Sequence, residues 1–259
     1  MTNIAVDLGS RFVKIIARGK DAEIFRLEDT VEFYKKNMKR RGEKVEIDID
    51  FLGIDIKAAR ILTTGYGRNL LNFTNAGIIS EIKAHFYGAK RQSGESDFVL
   101  VDAGGQDSKV IQARDGYIND FTMNDKCAAS TGRFIEYAAK IVGIPFEEAA
   151  AATDSPVSLT DTCAVFCESE LIGHIAHGAS ELHLAAGVNL SIARRIAPAV
   201  KKYNPKRVFA SGGAAASSAL ITFLSELTGI KVEPLQNVQF NGAIGCIEFM
   251  EKTAVNELR

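Results

Sequence analysis

Residues 99–116, VLVDAGGQDSKVIQARDG, repeat the pattern of residues 4–19, IAVDLGSRFVKIIARG. Each copy is an apolar run that ends in aspartate, then a turn of small residues, then a second run rich in β-branched residues. Four pairs of positions match when the copies are aligned: Asp7 with Asp102, Gly9 with Gly104, Ser10 with Gly105, and Lys14 with Lys109. The pattern is typical of a β-hairpin with a tight turn, and two copies predict two related lobes of mixed α/β type.

Length, composition and charge narrow the class of protein. The chain has 259 residues, 46% of them hydrophobic, and can bury a large core. Because its formal net charge is −1, we expect no nucleic acid and no anionic membrane surface as a partner. The N-terminal residues enter a strand pattern without a secretion signal, and no apolar run approaches the roughly 20 residues that span a bilayer. We therefore expect a cytoplasmic protein.

A third strand-turn-helix unit lies at residues 207–229, RVFASGGAAASSALITFLSELTG. Its predicted strand covers 207–210, its turn contains Gly212 and Gly213, and its helix covers 215–227 and ends at Gly229. Other predicted helices cover 130–142, about 161–177, 180–203, and the chain from about 242, which packs back onto the first lobe. The charged segment 21–57 is predicted to be surface-exposed with a strand at 44–49, and 60–71 reads as a strand and a glycine-rich turn.

The two repeated turns are candidate phosphate-binding sites. Backbone N–H groups in a turn of small residues converge on one point, and a carboxylate at the preceding strand end can hold Mg²⁺ directly or through water. Asp7 and Asp102 occupy those strand ends. The alternative is that each turn only closes a hairpin. The phosphate loop G-x-x-x-x-G-K-[ST] and the complete dinucleotide fingerprint are both missing from the sequence.

The four cysteines show no C-x-x-C spacing, which argues against familiar zinc and ferredoxin sites. Cys163, Cys167, His174 and His177 could share a helix stripe, but that stripe would be about 21 Å long and too long for one ion. We expect the two histidines to be partly buried helix residues, and Cys167 and Cys246 to fill the core. Cys127 and Cys163 both stand near predicted helix starts, whose positive ends stabilise thiolates or an anionic inorganic centre. Structural cysteines are the alternative.

Four motifs resemble one family: TTGYGR at 63–68, MNDKCAASTGRFIE at 123–136, DTCAVFCESELI at 161–172 and ASGGAA at 210–215. With VDAGGQDSKVI they are similar, in order, to the activator ATPases of 2-hydroxyacyl-CoA dehydratases. That family includes ATPase subunits of benzoyl-CoA reductases and reductases of double-cubane cluster proteins, within the actin, sugar-kinase and heat-shock-chaperone superfamily. The resemblance implies two RNase H-like lobes with a nucleotide cleft between them. We assign residues 1–95 plus about 240–259 to the first lobe and 96–239 to the second.

The resemblance also implies ATP or ADP with Mg²⁺ as ligands. It assigns Asp7 and Asp102 to catalysis and magnesium binding, and either Gln106 or Asp107 to positioning of the attacking water. Lys14 and Lys109 either contact phosphates or are solvated strand residues. The implied nucleotide-binding residues are Gly9, Ser10, Lys14, Gly104, Gly105, Ser211, Gly212, Gly213 and Ala214.

Finally, the resemblance implies one 4Fe–4S cluster per homodimer, held by Cys127 and Cys163 of each subunit, with a contribution of Cys167 left open. The implied function is ATP-dependent, low-potential electron transfer from ferredoxin or flavodoxin to an iron–sulfur enzyme. The acceptor would be a 2-hydroxyacyl-CoA dehydratase-type enzyme or a double-cubane cluster protein. Two alternatives share the fold, namely a small-molecule kinase and an actin-like filament ATPase, and neither requires paired cysteines.

Overall fold

The computed structural model describes residues 2–20, 22–41, 44–47, 58–70, 76–124, 131–159 and 164–257. Cys127, Cys163 and the predicted strand residues 48–49 lie outside the described residues. The chain divides into two compact units, one made of Met1–Gly94 with Gln239–Arg259 and the other of Glu95–Val238. In the described residues, no helix is long and apolar enough to cross a membrane.

The described secondary structure alternates strands and helices. The strands are β1 Asn3–Leu8, β2 Phe12–Arg18, β3 Glu23–Asp29, β4 Met38–Arg41, β5 Lys44–Ile47, β6 Arg60–Thr64, β7 Ala76–Ile78, β8 Phe98–Ala103, β9 Ser108–Arg114, β10 Tyr117–Asn124, β11 Val208–Ser211 and β12 Val232–Pro234. The α-helices are α1 Thr30–Asn37, α2 Glu81–Ser93, α3 Gly132–Val142, α4 Phe146–Ala151, α5 Ala164–Ala176, α6 Glu181–Lys202, α7 Ser218–Thr228 and α8 Asn241–Glu257.

Each unit contains a five-stranded sheet, and the two sheets have the same topology. The order is β3-β2-β1-β6-β7 in the first and β10-β9-β8-β11-β12 in the second. In each sheet, the first three strands in chain order form an antiparallel meander. The last two strands run parallel to the first strand of that meander. The two predicted hairpins are therefore confirmed as β1–β2 and β8–β9, and the internal repeat extends to whole sheets.

The first sheet buries apolar residues on both faces. Ile4, Val6 and Leu8 face one side, where they pack with Phe33 of α1. Ala5 faces the other side and packs with residues of α2 and α8. The prediction of a surface segment at 21–57 was wrong in part, because β3 extends the sheet and Phe33 is fully buried. Because the segment has many charged residues, its sequence did not indicate the short helix α1, which has only a few core positions.

Helices α2 and α8 pack closely on the second face of this sheet, which confirms that the last helix returns to the first lobe. Gly245 of α8 lies so near α2 that an added Cβ would meet the carbonyl oxygen of Ala84. Backbone cannot yield as a flexible side chain can, so any Cβ at Gly245 requires the helices to separate.

Gly245→Ala should therefore lower the unfolding free energy by about 1–3 kcal/mol through overpacking. Gly173→Ala in α5 is the matched control, because a Cβ there would meet no atom within 4 Å. That control should gain up to about 1 kcal/mol from the higher helix propensity of alanine. Urea denaturation of both variants measures the difference. Equal stability of the two variants would contradict the close helix crossing.

The second unit packs its helices against one face of its sheet. Val99, Val101 and Val110 supply that face, and residues of α3, α5, α6 and α7 cover it. The predicted helices at 130–142, 161–177 and 180–203 correspond to α3, α5 and α6, apart from residues 130 and 161–163, which lie outside the described residues.

Two differences from the predicted helices have local causes. The helix predicted at 215–227 begins at Ser218, because residues Gly213–Ala216 form a 3-10 turn and the Ser217 hydroxyl accepts a hydrogen bond from the Leu220 N–H. It ends before Gly229, whose left-handed conformation closes the helix as expected. Helices α2 and α4 were not predicted.

Candidate functional site

Each hairpin places a buried aspartate opposite a lysine. Asp7 at the end of β1 is paired in register with Lys14 of β2, and the Lys14 Nζ lies 3.3 Å from Asp7 Oδ2. Asp102 at the end of β8 is paired in the same way with Lys109 of β9, at 3.6 Å from Nζ to Oδ2. A buried carboxylate is stable as an anion only with such a counter-charge. The repeat thus carries a charge pair as well as a turn.

The second hairpin holds its lysine between two carboxylates. Lys109 is 2% exposed and its Nζ also lies 2.7 Å from Asp107 Oδ2. Lys109 is therefore not a solvated strand residue, and its charge is already directed at Asp102 and Asp107. Gln106, by contrast, has an exposed side chain at the tip of the same turn.

Hydroxyl residues lie beside both aspartates on the adjacent parallel strands. Ser211 of β11 is in register with Asp102, and its hydroxyl donates a 2.8 Å hydrogen bond to Asp102 Oδ1. Thr64 of β6 is in register with Asp7 and is fully buried, and its Oγ1 has no hydrogen-bond partner within the part of the chain that the structure describes. The two units thus share the arrangement but differ in how the hydroxyl is used.

The glycine after each hydroxyl residue has the same unusual conformation. Gly65 has a φ of 90° and Gly212 a φ of 88°, a region that favours glycine. A Cβ on Gly65 would lie 2.6 Å from the carbonyl carbon of Leu8, and a Cβ on Gly212 would meet the carbonyl oxygen of Ala103. TTG at 63–65 and ASG at 210–212 are therefore a second pair of repeated segments. In the sequence, the two segments share only a hydroxyl residue before a glycine. That pattern is too short to identify a repeat without the fold.

Two glycine residues approach the Asp7 carboxylate closely, at positions where an added Cβ would crowd it. A Cβ on Gly65 would lie 2.6 Å from Oδ1, and one on Gly242 would lie 3.1 Å from Oδ2. The Cβ added at Gly242 would also lie 3.1 Å from Nε2 of His85, a buried histidine that the sequence analysis missed. Gly242 belongs to the first turn of α8, where backbone N–H groups favour anions. Oxygen ligands next to glycine backbone fit a hard cation such as Mg²⁺.

The two turns are fixed by hydrogen bonds to neighbouring helices. In the first, the Thr30 hydroxyl at the start of α1 donates to the Gly9 carbonyl at 2.8 Å. In the second, the Gly104 N–H donates to the Asp107 carbonyl at 2.9 Å, and the Gly132 N–H of α3 donates to the Gly104 carbonyl at 3.0 Å. Each turn is thus hydrogen-bonded to the helix that follows the three antiparallel strands of its sheet. Ser10 and Gly105 occupy the half-exposed middle of these turns.

The segment 211–214, which the resemblance assigns to nucleotide binding, is largely internal. Ser211 and Ala214 are fully buried, and the Ser211 hydroxyl points to Asp102. Gly212 packs against the carbonyl of Ala103, whereas a Cβ on Gly213 would meet no atom of the described residues within 4 Å. Ser211 is therefore placed to position the Asp102 carboxylate, and Gly213 is the residue of this segment with open space beside it.

The described cysteines lie in apolar surroundings. Cys167 packs among core residues of the second unit and Cys246 among those of the first, and both are fully buried. Burial, helped by the negative charge of Asp7, raises the pKa of the Cys246 thiol well above its ordinary value. Both residues fill the core as expected, and the raised pKa keeps the Cys246 thiol in its neutral form.

The histidines of α5 bind backbone rather than a common partner. A ring nitrogen of His174 lies 3.2 Å from the Ser158 carbonyl, and one of His177 lies 2.7 Å from the Gly173 carbonyl. His177 is exposed, so the expectation that both are partly buried was wrong for it. Across the described ranges, no three or more His, Cys, Asp or Glu side chains are grouped to hold a metal ion.

Comparisons with known proteins agree with this arrangement. The model of the BadF/BadG/BcrA/BcrD ATPase family matches residues 6–249. The chain is 34% identical to the (R)-2-hydroxyglutaryl-CoA dehydratase activating ATPase of Acidaminococcus fermentans over 74% of this chain and 75% of that protein. It is 33% identical to the activator of lactoyl-CoA dehydratase of Anaerotignum propionicum over 98% and 99%. A solved structure, the activator of the 2-hydroxyisocaproyl-CoA dehydratase from Clostridium difficile with bound ADPNP, has a TM-score of 0.81 at 27% identity and covers 100% of this chain and 98% of that one.

Two lobes of one topology, each with a buried Asp–Lys hairpin, define an ATPase with two RNase H-like lobes. The chain belongs to the BadF/BadG/BcrA/BcrD ATPase family. The fold and the family predicted from the motifs are both confirmed.

Proposed function

We propose that this ATPase uses ATP binding and hydrolysis to deliver single, strongly reducing electrons to a partner iron–sulfur enzyme. The observation that carries the proposal is the repeated hairpin with its buried Asp–Lys pair, Asp7 with Lys14 and Asp102 with Lys109. The relatives support it, because their names describe activators of (R)-2-hydroxyglutaryl-CoA dehydratase and lactoyl-CoA dehydratase. The proposed acceptor is a 2-hydroxyacyl-CoA dehydratase-type enzyme or a double-cubane cluster protein.

In this proposal the hairpins bind the phosphates of ATP. Backbone N–H groups of the turns, at Gly9–Ser10 and at Gly105, donate to phosphate oxygens. Asp7 and Asp102 supply oxygen ligands for Mg²⁺, directly or through water, and the ion neutralises phosphate charge. The adenosine end lies by Gly213, where the backbone is open. The ADPNP bound to the Clostridium difficile activator supports a nucleotide as the ligand.

Gln106 is the residue we propose to orient the attacking water. Asp107, the alternative, is already paired with Lys109 at 2.7 Å, and its charge is neutralised there. The Gln106 side chain is exposed at the turn and carries both a donor and an acceptor. Lys109 supplies a counter-charge for Asp102, and Ser211 fixes the orientation of this carboxylate through the 2.8 Å hydrogen bond.

Cys127 and Cys163 are the proposed ligands of one 4Fe–4S cluster, shared with the same residues of a second subunit. Cys167 and Cys246 are fully buried among apolar side chains, which leaves these two of the four cysteines. A cubane needs about four thiolates, and two-fold symmetry doubles the two that one chain offers. The bound cluster supplies one-electron redox chemistry. Helices α3 and α5, which follow the cysteines in sequence, present N-termini that stabilise thiolates.

The direct experiment is activation of a purified 2-hydroxyacyl-CoA dehydratase under anaerobic conditions. The protein is reduced with ferredoxin or flavodoxin, which are the proposed donors, and mixed with the dehydratase and MgATP. Dehydratase activity should appear with MgATP and stay absent with ADPNP, because the proposal couples transfer to hydrolysis. Phosphate transfer to a small-molecule acceptor, with no activation of the dehydratase, would contradict the proposal and favour a kinase.

A further inference from the structure

We infer that the hydroxyl of Thr64 is a ligand of the magnesium–phosphate group bound at Asp7, and that it engages only when the nucleotide is present. This inference rests on the proposed function, because it assigns one more binding residue to the proposed ATP site. The juxtaposition that carries it is a fully buried hydroxyl without a hydrogen-bond partner, in register with the buried carboxylate of Asp7.

The first step is the cost of the unbonded hydroxyl. Thr64 is 0% exposed, and its Oγ1 has no hydrogen-bond partner among the described residues. Burying a hydroxyl without a hydrogen bond is unfavourable, and valine would fill the same space without that cost. A threonine at such a position is explained if its hydroxyl forms a hydrogen bond or a ligand contact in another state of the protein.

The neighbouring strand residue shows that the backbone here can satisfy a threonine. The Thr63 hydroxyl donates to the carbonyl of Arg68 at 3.1 Å and lies 3.3 Å from that of Gly77. Thr63 and Thr64 are adjacent in β6, and successive side chains of a strand point to opposite faces. The unbonded hydroxyl is therefore specific to the face that carries Asp7.

That face carries the polar groups of the first hairpin. Asp7 is in register with Lys14 on one side and with Thr64 on the other, and residues in register in a sheet project to the same face. The Asp7 Oδ2 atom is engaged by Lys14 at 3.3 Å, a long contact, and the backbone of Gly65 and Gly242 approaches the two carboxylate oxygens closely. A cation or phosphate at Asp7 would meet the Thr64 hydroxyl beside it.

The second unit provides the internal comparison. Ser211 stands where Thr64 stands, in register with the aspartate and directly before the glycine of positive φ. Its hydroxyl is already bonded to Asp102 at 2.8 Å. The fold therefore allows a hydroxyl at this position to reach the carboxylate, so the unbonded Thr64 is a difference between the two sites. We assign Ser211 to positioning of its aspartate and Thr64 to the ligand.

The test compares Thr64→Val, Thr64→Ser and the control Thr63→Val by thermal unfolding with and without MgADP. Without nucleotide, Thr64→Val should unfold at the wild-type temperature or higher, since it removes an unsatisfied hydroxyl. It should lose most of the MgADP-induced rise in Tm and bind MgADP about tenfold or more weakly, because a hydrogen bond to a charged group is lost. Thr64→Ser should keep the MgADP-induced rise in Tm and the wild-type affinity for MgADP.

Thr63→Val should behave in the opposite way, with a lower Tm and the full MgADP-induced rise, because its hydroxyl bonds only backbone carbonyls. A Thr64→Val protein with the wild-type response to MgADP would overturn the inference and leave the proposed ATP site intact. Loss of the response in Thr63→Val as well would also overturn it, since any change in β6 would then suffice. A wild-type protein with no response to MgADP would overturn the proposed function itself.

Discussion

Asp102→Asn should reduce magnesium-dependent ATP hydrolysis by at least about 100-fold, equivalent to roughly 2.7 kcal/mol of transition-state stabilisation. The substitution removes the negative charge that we assign to Mg²⁺ and keeps the shape of the side chain. Phosphate release at saturating MgATP measures the loss. Asp7→Asn should have an effect of the same order, because the first hairpin repeats the arrangement with Lys14.

The Asp102→Asn protein should remain folded. The asparagine oxygen can still accept the hydrogen bond from Ser211, and Lys109 keeps Asp107 at 2.7 Å as its partner. Asp120→Asn is the matched control, since Asp120 pairs with Lys202 at an exposed position of β10. That control should hydrolyse ATP at the wild-type rate. Wild-type hydrolysis by both Asp102→Asn and Asp7→Asn would exclude the hairpin carboxylates from catalysis.

Cys127→Ser and Cys163→Ser should each reduce the iron content of anaerobically purified protein from about two atoms per chain to near zero. Serine keeps the size of the side chain and removes the thiolate, which is the ligand that iron–sulfur clusters require. Iron and acid-labile sulfide per chain are the measurements, together with the loss of the visible absorption of the cluster. ATP-driven activation of the dehydratase should be lost with the iron.

Cys167→Ala and Cys246→Ala are the controls for this experiment. Both residues are fully buried in apolar clusters, so the alanine variants should keep the iron and lose some stability through the cavity they create. If Cys167→Ala lost the iron while Cys163→Ser kept it, the second thiolate would be Cys167. Such a result would move the ligand four residues along the sequence, to a position within α5.

The sequence predicted the parts of the fold whose signals are local. The β1–β2 and β8–β9 hairpins each lie within a short segment, so the aspartate, the turn and the second strand could be identified together. Helices α3 and α6 have capping residues and long apolar stripes. Helices α1, α2 and α4 were missed because they are short or carry many charged and small residues. For such segments, packing against a sheet decides the structure more than intrinsic propensity does.

The site was predicted less completely, because its polar contacts cross between distant strands. Ser211 meets Asp102 only because β11 pairs with β8, and Thr64 meets Asp7 only because β6 pairs with β1. Ser211, predicted to bind nucleotide, therefore lies beside the Asp102 carboxylate, which its position in the sequence did not indicate. Lys109 could be taken for a surface residue in the sequence, and its burial between Asp102 and Asp107 follows from the turn geometry. His85 gave no signal, since a histidine on a helix is common.

The most direct single measurement is native mass spectrometry of the anaerobically purified protein. We predict a dimer whose mass equals two chains plus one 4Fe–4S unit, and which binds magnesium nucleotide without losing that unit. A monomer that carries a whole cluster, or an iron-free protein that still activates the dehydratase with ATP, would contradict a cluster shared between two ATPase subunits.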